Sequence, residues 1–249
     1  MIAPDPQEPL RLQIIMARSG FCSRRKAEEY ITQGKVCVDG IPVLQLGTKV
    51  KPDARITVNG VNLRLESKMH YLLLNKPAGY LCAMSDGYGR PLAVDLFKPD
   101  IKERVYNVGR LDLYSSGLIV FTNDGDFAAG LSHPSSNIIK KYRVTTDQPV
   151  PAEFLDDFIN GINDNGEVLK AEQAELISDN VILISLREGK NREIRRALAV
   201  HKLHARVLHR IAIGPVESND LPSGKWRPLQ DFELAGLKKM FSGSVISRG

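Results

Sequence analysis

The sequence predicts an α+β fold in two domains, a small N-terminal one and a larger C-terminal one. Short helix patterns and short strand patterns are mixed along all 249 residues without an internal repeat. They do not follow the regular βαβ rhythm that builds a doubly wound parallel sheet. A basic segment with its own helices and turns also precedes the longer mixed region, which marks a domain boundary.

The first domain is expected over residues 10–66, after a flexible tail of residues 1–9 that carries three prolines and no apolar pattern. An apolar helix pattern opens this domain. A second helix follows Ser23, its predicted N-cap, and stops before Gly34. Alternating valines with Asp-Gly and Asn-Gly dipeptides then predict short strands joined by tight turns.

The second domain is expected over residues 67–235. Its strand patterns include YLLLNKP at the start and GLIVFT in the middle, both rich in apolar residues. Residues 236–249 are polar, with glycines and serines, and are expected to form a second flexible tail. Further segments indicate helix or strand, namely AEFLDDFINGI and NREIRRALAVHKLH as helices and VILISL as a buried strand.

Composition restricts the class of protein. A hydrophobic content of 43% and a charged content of 25% are ordinary for a soluble globular protein. The net charge of +5 and the pI of about 9.1 favour a polyanionic partner without identifying it. No apolar run reaches the length of a membrane span, and the N-terminus lacks a secretory pattern. We therefore expect a protein of the cytoplasm, or of an organelle if a transit peptide was removed, without membrane contact.

The cysteines and histidines give no sign of a metal or a disulfide framework. Three cysteines, Cys22, Cys37 and Cys82, are few and scattered. The histidines His201, His204 and His209 have no metal-type spacing with a fourth ligand and are interpreted as packing or surface residues. The expected site therefore holds no metal.

A first basic cluster lies at the start of the second helix, where Arg24, Arg25 and Lys26 stand together and Lys35 follows the helix. Residues 10–65 carry ten Lys or Arg and four Asp or Glu, a net charge of +6. Cations at a helix start oppose the helix dipole, so the arrangement favours an anion, such as a phosphate, over that end. The alternative is a solvated basic face.

A second basic cluster spans residues 190–210, with seven Lys or Arg and one acidic residue. On a helix, the apolar residues Ile194, Ala197 and Leu198 share one face, which would hold the helix against a core. The opposite face would present three arginines, which are Arg192, Arg195 and Arg196.

One aspartate stands in an unusual place. The stretch GRLDLYSSGLIVFT puts Asp112 directly before a strand bound for the core, with Arg110 two residues earlier. A lone aspartate in such a position is more often a turn or cap residue than a catalytic one. The residues by themselves thus indicate a basic cleft without defining a reaction.

Several ordered motifs resemble the RsuA-like branch of the pseudouridine synthases, which convert uridine in RNA to pseudouridine. GRLD and SGLIVFTNDG resemble its signature, and KKYRV and EGKNREIRR resemble its second and third motifs. SRRKAEEYI followed by GKVCVDG resembles the S-four-like RNA-binding domain that this branch carries. The resemblance covers about residues 10–235. The resemblance implies an S-four-like domain, which is followed by a catalytic domain built on a mixed or antiparallel sheet.

The resemblance also implies roles for residues. Asp112 would be the nucleophile, Arg195 its ionic partner, and Tyr142 the aromatic residue stacked on the target uracil. No cofactor would be required. Substrate contacts would come from Arg110, Leu186, Lys190, Arg192 and Arg196, and contacts to the RNA from Arg24, Arg25, Lys26 and Lys35. Positions that differ from the usual pattern of the branch are Tyr114, Ser115, Glu193 and Ala197.

The leading hypothesis is a monomeric enzyme that isomerises a flipped-out uridine in ribosomal RNA or a ribosomal subunit precursor. The alternative is an inactive RNA-binding or ribosome-assembly factor with the same fold. A third hypothesis, a hydrolase, requires a second carboxylate, for which Asp124 and Asp126 are available. The NDGD stretch that carries them fits a turn and helix cap better.

Overall fold

The computed structural model describes residues 8–242 except residues 52, 65, 67 and 219. The chain divides into two compact units. The first comprises Met1–His70 with the short segments Ile101–Val105 and Asn123–Gly125, and the second comprises the remaining residues. The predicted tail over residues 1–9 lies largely outside the described residues.

The first unit contains two helices and two small sheets. Strands β3, β2, β5 and β6 form an antiparallel sheet in that order, and β1 pairs with β4. Their bounds are β1 (Leu10–Arg11), α1 (Leu12–Arg18), α2 (Arg24–Thr32), β2 (Val36–Val38), β3 (Ile41–Pro42), β4 (Lys49–Val50), β5 (Ile56–Val58) and β6 (Val61–Asn62).

Helix α2 begins and ends where the sequence predicted. The Ser23 hydroxyl accepts a hydrogen bond from the Lys26 amide at 3.2 Å, which confirms the predicted N-cap. Gly34 follows the helix with φ of +70°, the left-handed conformation that glycine adopts without strain. Ala27 and Ile31 are fully buried and hold the helix against the core of this unit.

The second unit is built on one large sheet with helices packed on it. Two short 3₁₀ helices cover Ala93–Phe97 and Pro134–Ser136. The other elements are β7 (Tyr71–Lys76), β8 (Tyr106–Val108), β9 (Ser116–Thr122), α3 (Gly125–Ser132), β10 (Lys140–Thr146), α4 (Ala152–Asn160), β11 (Ile162–Asp164), β12 (Glu167–Leu169), β13 (Gln173–Ser178), β14 (Val181–Leu186), α5 (Glu193–Val200), β15 (Ala205–Ile213), β16 (Val216–Glu217), β17 (Trp226–Pro228) and α6 (Asp231–Ser242).

The large sheet runs in the order β13-β14-β10-β15-β9-β7-β17, with β8 attached to β9 and β16 to β15. The pair β9–β15 is parallel, and the other described pairs of this sheet are antiparallel. This mixed sheet with helices confirms the predicted α+β class. Across the described ranges, no helix has both the length and the apolar character needed to cross a membrane.

The two halves of the large sheet meet over only two residue pairs. Ser116 pairs with His209 and Gly117 with Arg210, and there the pairing of β9 with β15 ends. Strand β8 takes over the same edge of β9 further along, with Val108 opposite Val120. Since β15 and β8 do not meet along this edge, a cleft opens between them.

Helix α6 corrects the predicted C-terminal tail. The sequence placed a flexible tail from residue 236, but the helix continues to Ser242. Leu237 is fully buried in the core of the second unit, and Met240 and Phe241 pack on that core. These three residues lie on one face at helical spacing, and their burial outweighs the polar residues between them. The rest of the predicted tail, residues 243–249, lies outside the described residues.

We predict that Gly117→Ala destabilises the second unit. Gly117 has φ of +107°, and a Cβ there would lie closer than 3.0 Å to backbone atoms of Arg210. Relieving both strains should cost at least about 2 kcal/mol and lower the calorimetric melting temperature by roughly 5 °C. Gly87→Ala is the control, because a Cβ at Gly87 meets nothing within 4 Å. Equal melting temperatures for the two variants would contradict the prediction.

Candidate active site

Asp112 lies in the loop that joins β8 to β9, next to the junction of the two halves of the sheet. The backbone of this loop is fixed on both sides of the aspartate. The Leu111 amide donates to the Cys82 sulfur at 3.3 Å, and the Gly79 amide donates to the Leu113 carbonyl at 2.7 Å. The carboxylate is therefore presented by an anchored loop rather than by a free one.

Two guanidinium groups face the Asp112 carboxylate. Its Oδ2 lies 3.9 Å from Arg192 Nη1 and 4.0 Å from Arg195 Nε. The Arg195 Nη1 donates to the Ala205 carbonyl at 3.0 Å, and Nη2 donates to the Tyr114 carbonyl at 3.3 Å. Within the described part of the chain, the buried Arg195 Nε has no hydrogen-bond partner. Arg195 thus spans both halves of the sheet and keeps one donor directed at the carboxylate.

The Arg195 guanidinium keeps its charge in this environment. Burial lowers the pKa of Arg195, the neighbouring Arg192 lowers it further, and Asp112 acts in the opposite direction. A guanidinium remains charged in spite of such a shift. The separation of about 4 Å gives an ion pair but no hydrogen bond. The carboxylate oxygens of Asp112 therefore remain available to a substrate.

A cavity of about 90 Å³ lies over the carboxylate. Tyr142 reaches it from β10 and is 7% exposed, and Val144 is buried two residues later on the same face of the strand. The cavity brings together most of the predicted site residues, which are Asp112, Arg110, Tyr142, Leu186, Lys190 and Arg192.

Arg210 contacts a predicted site residue, Tyr142, although its sequence position indicated only membership of a basic cluster. It is 4% exposed, its Nε donates to the Leu118 carbonyl at 2.6 Å, and its Nη1 donates to the Tyr142 hydroxyl at 3.5 Å. It also lines a second cavity of about 190 Å³ beside Tyr142. The alternation along β15 could have predicted the burial of Arg210, because Leu208 and Ala212 lie on the same face of the strand as Arg210 and are buried.

A second buried cation lies near the site without having been predicted. Lys76 is fully buried at the end of β7, and its ammonium donates to the carbonyls of Pro77 and Tyr80 at 2.8 and 2.9 Å. Burial lowers its pKa; the nearby Cys82 and Asp112 raise it, and Arg210 lowers it. The floor of the site is therefore cationic, and its cations are held by carbonyl oxygens.

The three arginines that were predicted to share one face of α5 do not stay together: Arg192 and Arg195 face Asp112, and Arg196 does not. Arg196 does not line the cavity over Asp112. Its Nε lies 2.5 Å from Asp164 Oδ2 and its Nη1 lies 2.6 Å from Glu167 Oε2, on the hairpin of β11 and β12. The Lys190 ammonium donates to the Val168 carbonyl on the same hairpin. The helical pattern could not show this hairpin, which draws Arg196 away from its predicted place.

The predicted RNA-binding residues of the first unit gather around α2. Arg24 and Arg25 are exposed at its start. Lys26 forms an ion pair of 2.6 Å with a glutamate one turn later, which partly neutralises its charge. Lys35 lies 5.8 Å from the centre of the Tyr30 ring. The arginines are thus the strongest candidates for binding a phosphate in this unit.

The three histidines of the second basic cluster have structural partners. His201 packs edge-on against the Phe154 ring, His204 pairs with Asp147, and the His209 Nδ1 lies 2.9 Å from the Ser116 hydroxyl. Among the residues that the structure describes, no three His, Cys, Asp or Glu side chains are grouped to hold a metal ion.

The site places a carboxylate opposite two arginines, an arrangement that suits catalysis, and comparison with known proteins identifies the family. A family model described as RNA pseudouridylate synthase matches residues 70–200, and an S4 domain model matches residues 10–60. The chain therefore belongs to the RNA pseudouridylate synthase family and carries an S4 domain, as its motifs predicted.

Relatives over nearly the whole chain agree with this assignment. The chain is 37% identical to ribosomal large subunit pseudouridine synthase B of Bacillus subtilis, covering 92% of this chain and 96% of the relative. It is 35% identical to the dual-specificity RNA pseudouridine synthase RluF of Escherichia coli, covering 96% and 82%. A crystal structure of a pseudouridylate synthase aligns with a TM-score of 0.67 and 27% identity, over 92% of this chain and 99% of the other. The chain is thus an enzyme of RNA modification.

We predict that Arg195→Ala and Arg196→Ala have different effects. Loss of Arg195 removes a cation from the Asp112 carboxylate and should lower the kcat of pseudouridine formation by roughly 100-fold or more. Loss of Arg196 removes its ion pairs to Asp164 and Glu167, so it should lower the melting temperature and leave kcat within a few-fold. Steady-state kinetics and calorimetry on both variants test this. A kcat lowered equally in both would contradict it.

Proposed function

We propose that this chain converts a specific uridine of ribosomal RNA to pseudouridine, with Asp112 as the nucleophile. The observation that carries the proposal is the shared cavity, in which the Asp112 carboxylate faces Arg192 and Arg195 and lies beside the Tyr142 ring. The name of the Bacillus subtilis relative supports ribosomal RNA as the substrate. Such a substrate implies the compartment of ribosome assembly, and we propose a cytoplasmic monomer.

The reaction is an isomerisation in which all atoms of the uridine are retained. The bond between C1′ of the ribose and N1 of uracil breaks, the base turns, and C5 of uracil bonds to C1′. C5 then loses its proton, and N1 gains one. Asp112 starts this sequence by adding to C1′ or by removing a sugar proton to form a glycal, and both routes require its ionised carboxylate.

The two arginines support that carboxylate without blocking it. Arg195 is fixed by the carbonyls of Ala205 and Tyr114, so its remaining Nε can orient Asp112 from a distance of 4.0 Å. A hydrogen-bonded carboxylate would be a weaker nucleophile, because its lone pairs would be engaged. The arrangement therefore combines charge stabilisation with free carboxylate oxygens.

Tyr142 and Leu186 provide the apolar surface for the uracil. Tyr142 lies on β10 and Leu186 lies on the neighbouring, paired strand β14. Both side chains line the same cavity. An aromatic ring binds a nucleobase by stacking. The Tyr142 hydroxyl, which accepts a hydrogen bond from Arg210, is the group that we assign to assist removal of the C5 proton.

Asp112 lies in a cleft with its side chain 34% exposed, which supports a flipped-out nucleotide as the form of the substrate. A uridine stacked in a helix could not bring its ribose to this carboxylate, so the target nucleotide must be flipped out. The exposed Arg110 and Arg192, together with Lys190, line the mouth and would hold the neighbouring phosphates. We assign Arg196 to positioning α5 through its pairs with the hairpin.

A hydrolytic alternative would have to use Glu193, the second carboxylate that lines the cavity over Asp112. Glu193 is 4% exposed, and its oxygens accept hydrogen bonds from the Lys190 and Lys170 backbone amides at 3.0 and 3.4 Å. Asp126 lies in the first turn of α3 and does not line the cavity over Asp112. A glycosidase-type mechanism needs two carboxylates on either side of the scissile bond. The isomerase needs one nucleophilic carboxylate, and Asp112 suits that role because it faces two arginines, whereas backbone amides engage the Glu193 carboxylate.

We predict that Asp112→Asn abolishes turnover and leaves RNA binding within several-fold of wild type. The amide keeps the size of the side chain and removes the nucleophilic charge. Release of tritium from RNA labelled at C5 of uridine measures turnover, and filter binding measures affinity. Asp156→Asn, an exposed carboxylate on α4, is the matched control and should behave as wild type. Equal loss of binding and turnover in Asp112→Asn would contradict the assigned role.

We also predict that Arg24→Ala combined with Arg25→Ala weakens RNA binding and flattens its salt dependence. Each lost phosphate contact should reduce the slope of log K against log salt by about 0.7 to 0.9. Lys238→Ala combined with Lys239→Ala removes the same charge from exposed positions on α6 and serves as the control. An unchanged slope in the arginine variant, measured by titrations at several salt concentrations, would show that α2 does not bind phosphates.

A further inference from the structure

Two tyrosines beside the active site have no role in the reaction or in the core. Tyr88 is 87% exposed and Tyr114 is 71% exposed, and they are the most exposed large hydrophobic side chains of the described residues. Both belong to the second unit. Exposed aromatic rings of this size usually mark a surface that binds a partner.

The Tyr114 ring is carried by a rigid backbone. Its carbonyl accepts a hydrogen bond from Arg195, and the carbonyl of the preceding Leu113 accepts one from Gly79. The Ser115 amide donates to the Asp112 carbonyl at 3.0 Å and closes the turn. The ring therefore leaves an anchored loop two residues after the nucleophile, at most about 7 Å along the backbone.

A second ordered loop presents Tyr88 and Arg90. The Asp86 carboxylate accepts hydrogen bonds from the backbone amides of both residues at 3.0 and 2.9 Å, and from the Arg90 guanidinium at 2.7 Å. These bonds lower the pKa of Asp86 to about 2, so the carboxylate stays ionised and the loop stays closed at neutral pH. The loop is thus organised to display its side chains.

Arg90 packs against one of these tyrosines. Its guanidinium lies over the Tyr88 ring, 5.2 Å from the ring centre. The pKa of Arg90 is raised chiefly by its hydrogen bonds to Asp86, and the nearby Tyr114 phenol adds to the effect. The second unit thus presents two exposed tyrosines and the exposed cations Arg90 and Arg110, of which Arg110 lines the cavity over Asp112. Such a combination is typical of surfaces that bind single-stranded nucleic acid.

We propose that Tyr114, supported by Arg90 and Tyr88, stacks on an unpaired base within one or two nucleotides of the target uridine. This proposal rests on the proposed function. Flipping a uridine leaves its neighbours without a stacking partner, and a rigid ring at the mouth replaces that partner. Tyr114 is then a specificity-determining residue, because it requires an unpaired base beside the target.

The kinetic test compares three variants on in vitro transcribed large-subunit ribosomal RNA. Tyr114→Ala should raise KM by about 10-fold and change kcat much less, since stacking contributes to binding. Tyr114→Phe keeps the ring and should stay near wild type. Phe232→Ala, an exposed aromatic on α6 that lines neither cavity, is the control. An unchanged KM in Tyr114→Ala, or an equal loss in Tyr114→Phe, would overturn the proposal.

A binding test separates this proposal from the proposed function, because it does not need turnover. Tyr114→Trp places an indole at this position, and its fluorescence should be quenched by single-stranded oligouridylate and much less by an RNA duplex of the same length. The native Trp226 gives the background, measured in the wild-type chain. Absent or equal quenching by the two RNAs would overturn the stacking role, even if the wild type forms pseudouridine. Quenching without turnover in the wild type would instead refute the proposed reaction.

Discussion

The active site depends on the short parallel contact between β9 and β15. One half of the sheet brings Asp112 on the loop before β9, and the other half brings Tyr142 on β10 and Arg195 on α5. The halves are joined over two residue pairs, and Gly117 allows the close approach because any Cβ there would strike the backbone of Arg210. The distances between the Asp112 carboxylate and the groups that face it therefore depend on this two-pair contact.

The same junction explains why cations are buried beneath the cleft. Arg210 and Lys76 have lost nearly all contact with solvent, and backbone carbonyls accept their hydrogen bonds. Burying a charge is costly unless it is hydrogen-bonded, and among the described residues the acceptors of these cations are neutral oxygens. Their charge lies close to the cleft, where, in the reaction proposed above, it would stabilise the negative charge that develops on a departing uracil.

Sequence patterns predicted local features such as helix caps. They did not predict contacts between residues that are distant in the sequence. The cap at Ser23 was predicted correctly, because a helix cap is decided by residues that are close in the sequence. Arg196 was misplaced because a helical face does not reveal the hairpin that binds it. The alternation of buried residues along β15 could have predicted that Arg210 is buried, but Arg210 was considered only as one charge of a basic cluster. At Leu237, polar neighbours suggested a tail although the apolar spacing was helical.

The most direct test of the central claim is a pseudouridine map of ribosomal RNA from cells that lack this protein. Carbodiimide adducts stop primer extension at pseudouridine and locate each one. The account predicts that at least one site disappears, returns when the wild-type protein is supplied, and stays absent when Asp112→Ala is supplied. An identical map in all of these cells, or a site restored by Asp112→Ala, would contradict the claim that this cleft isomerises a uridine of ribosomal RNA.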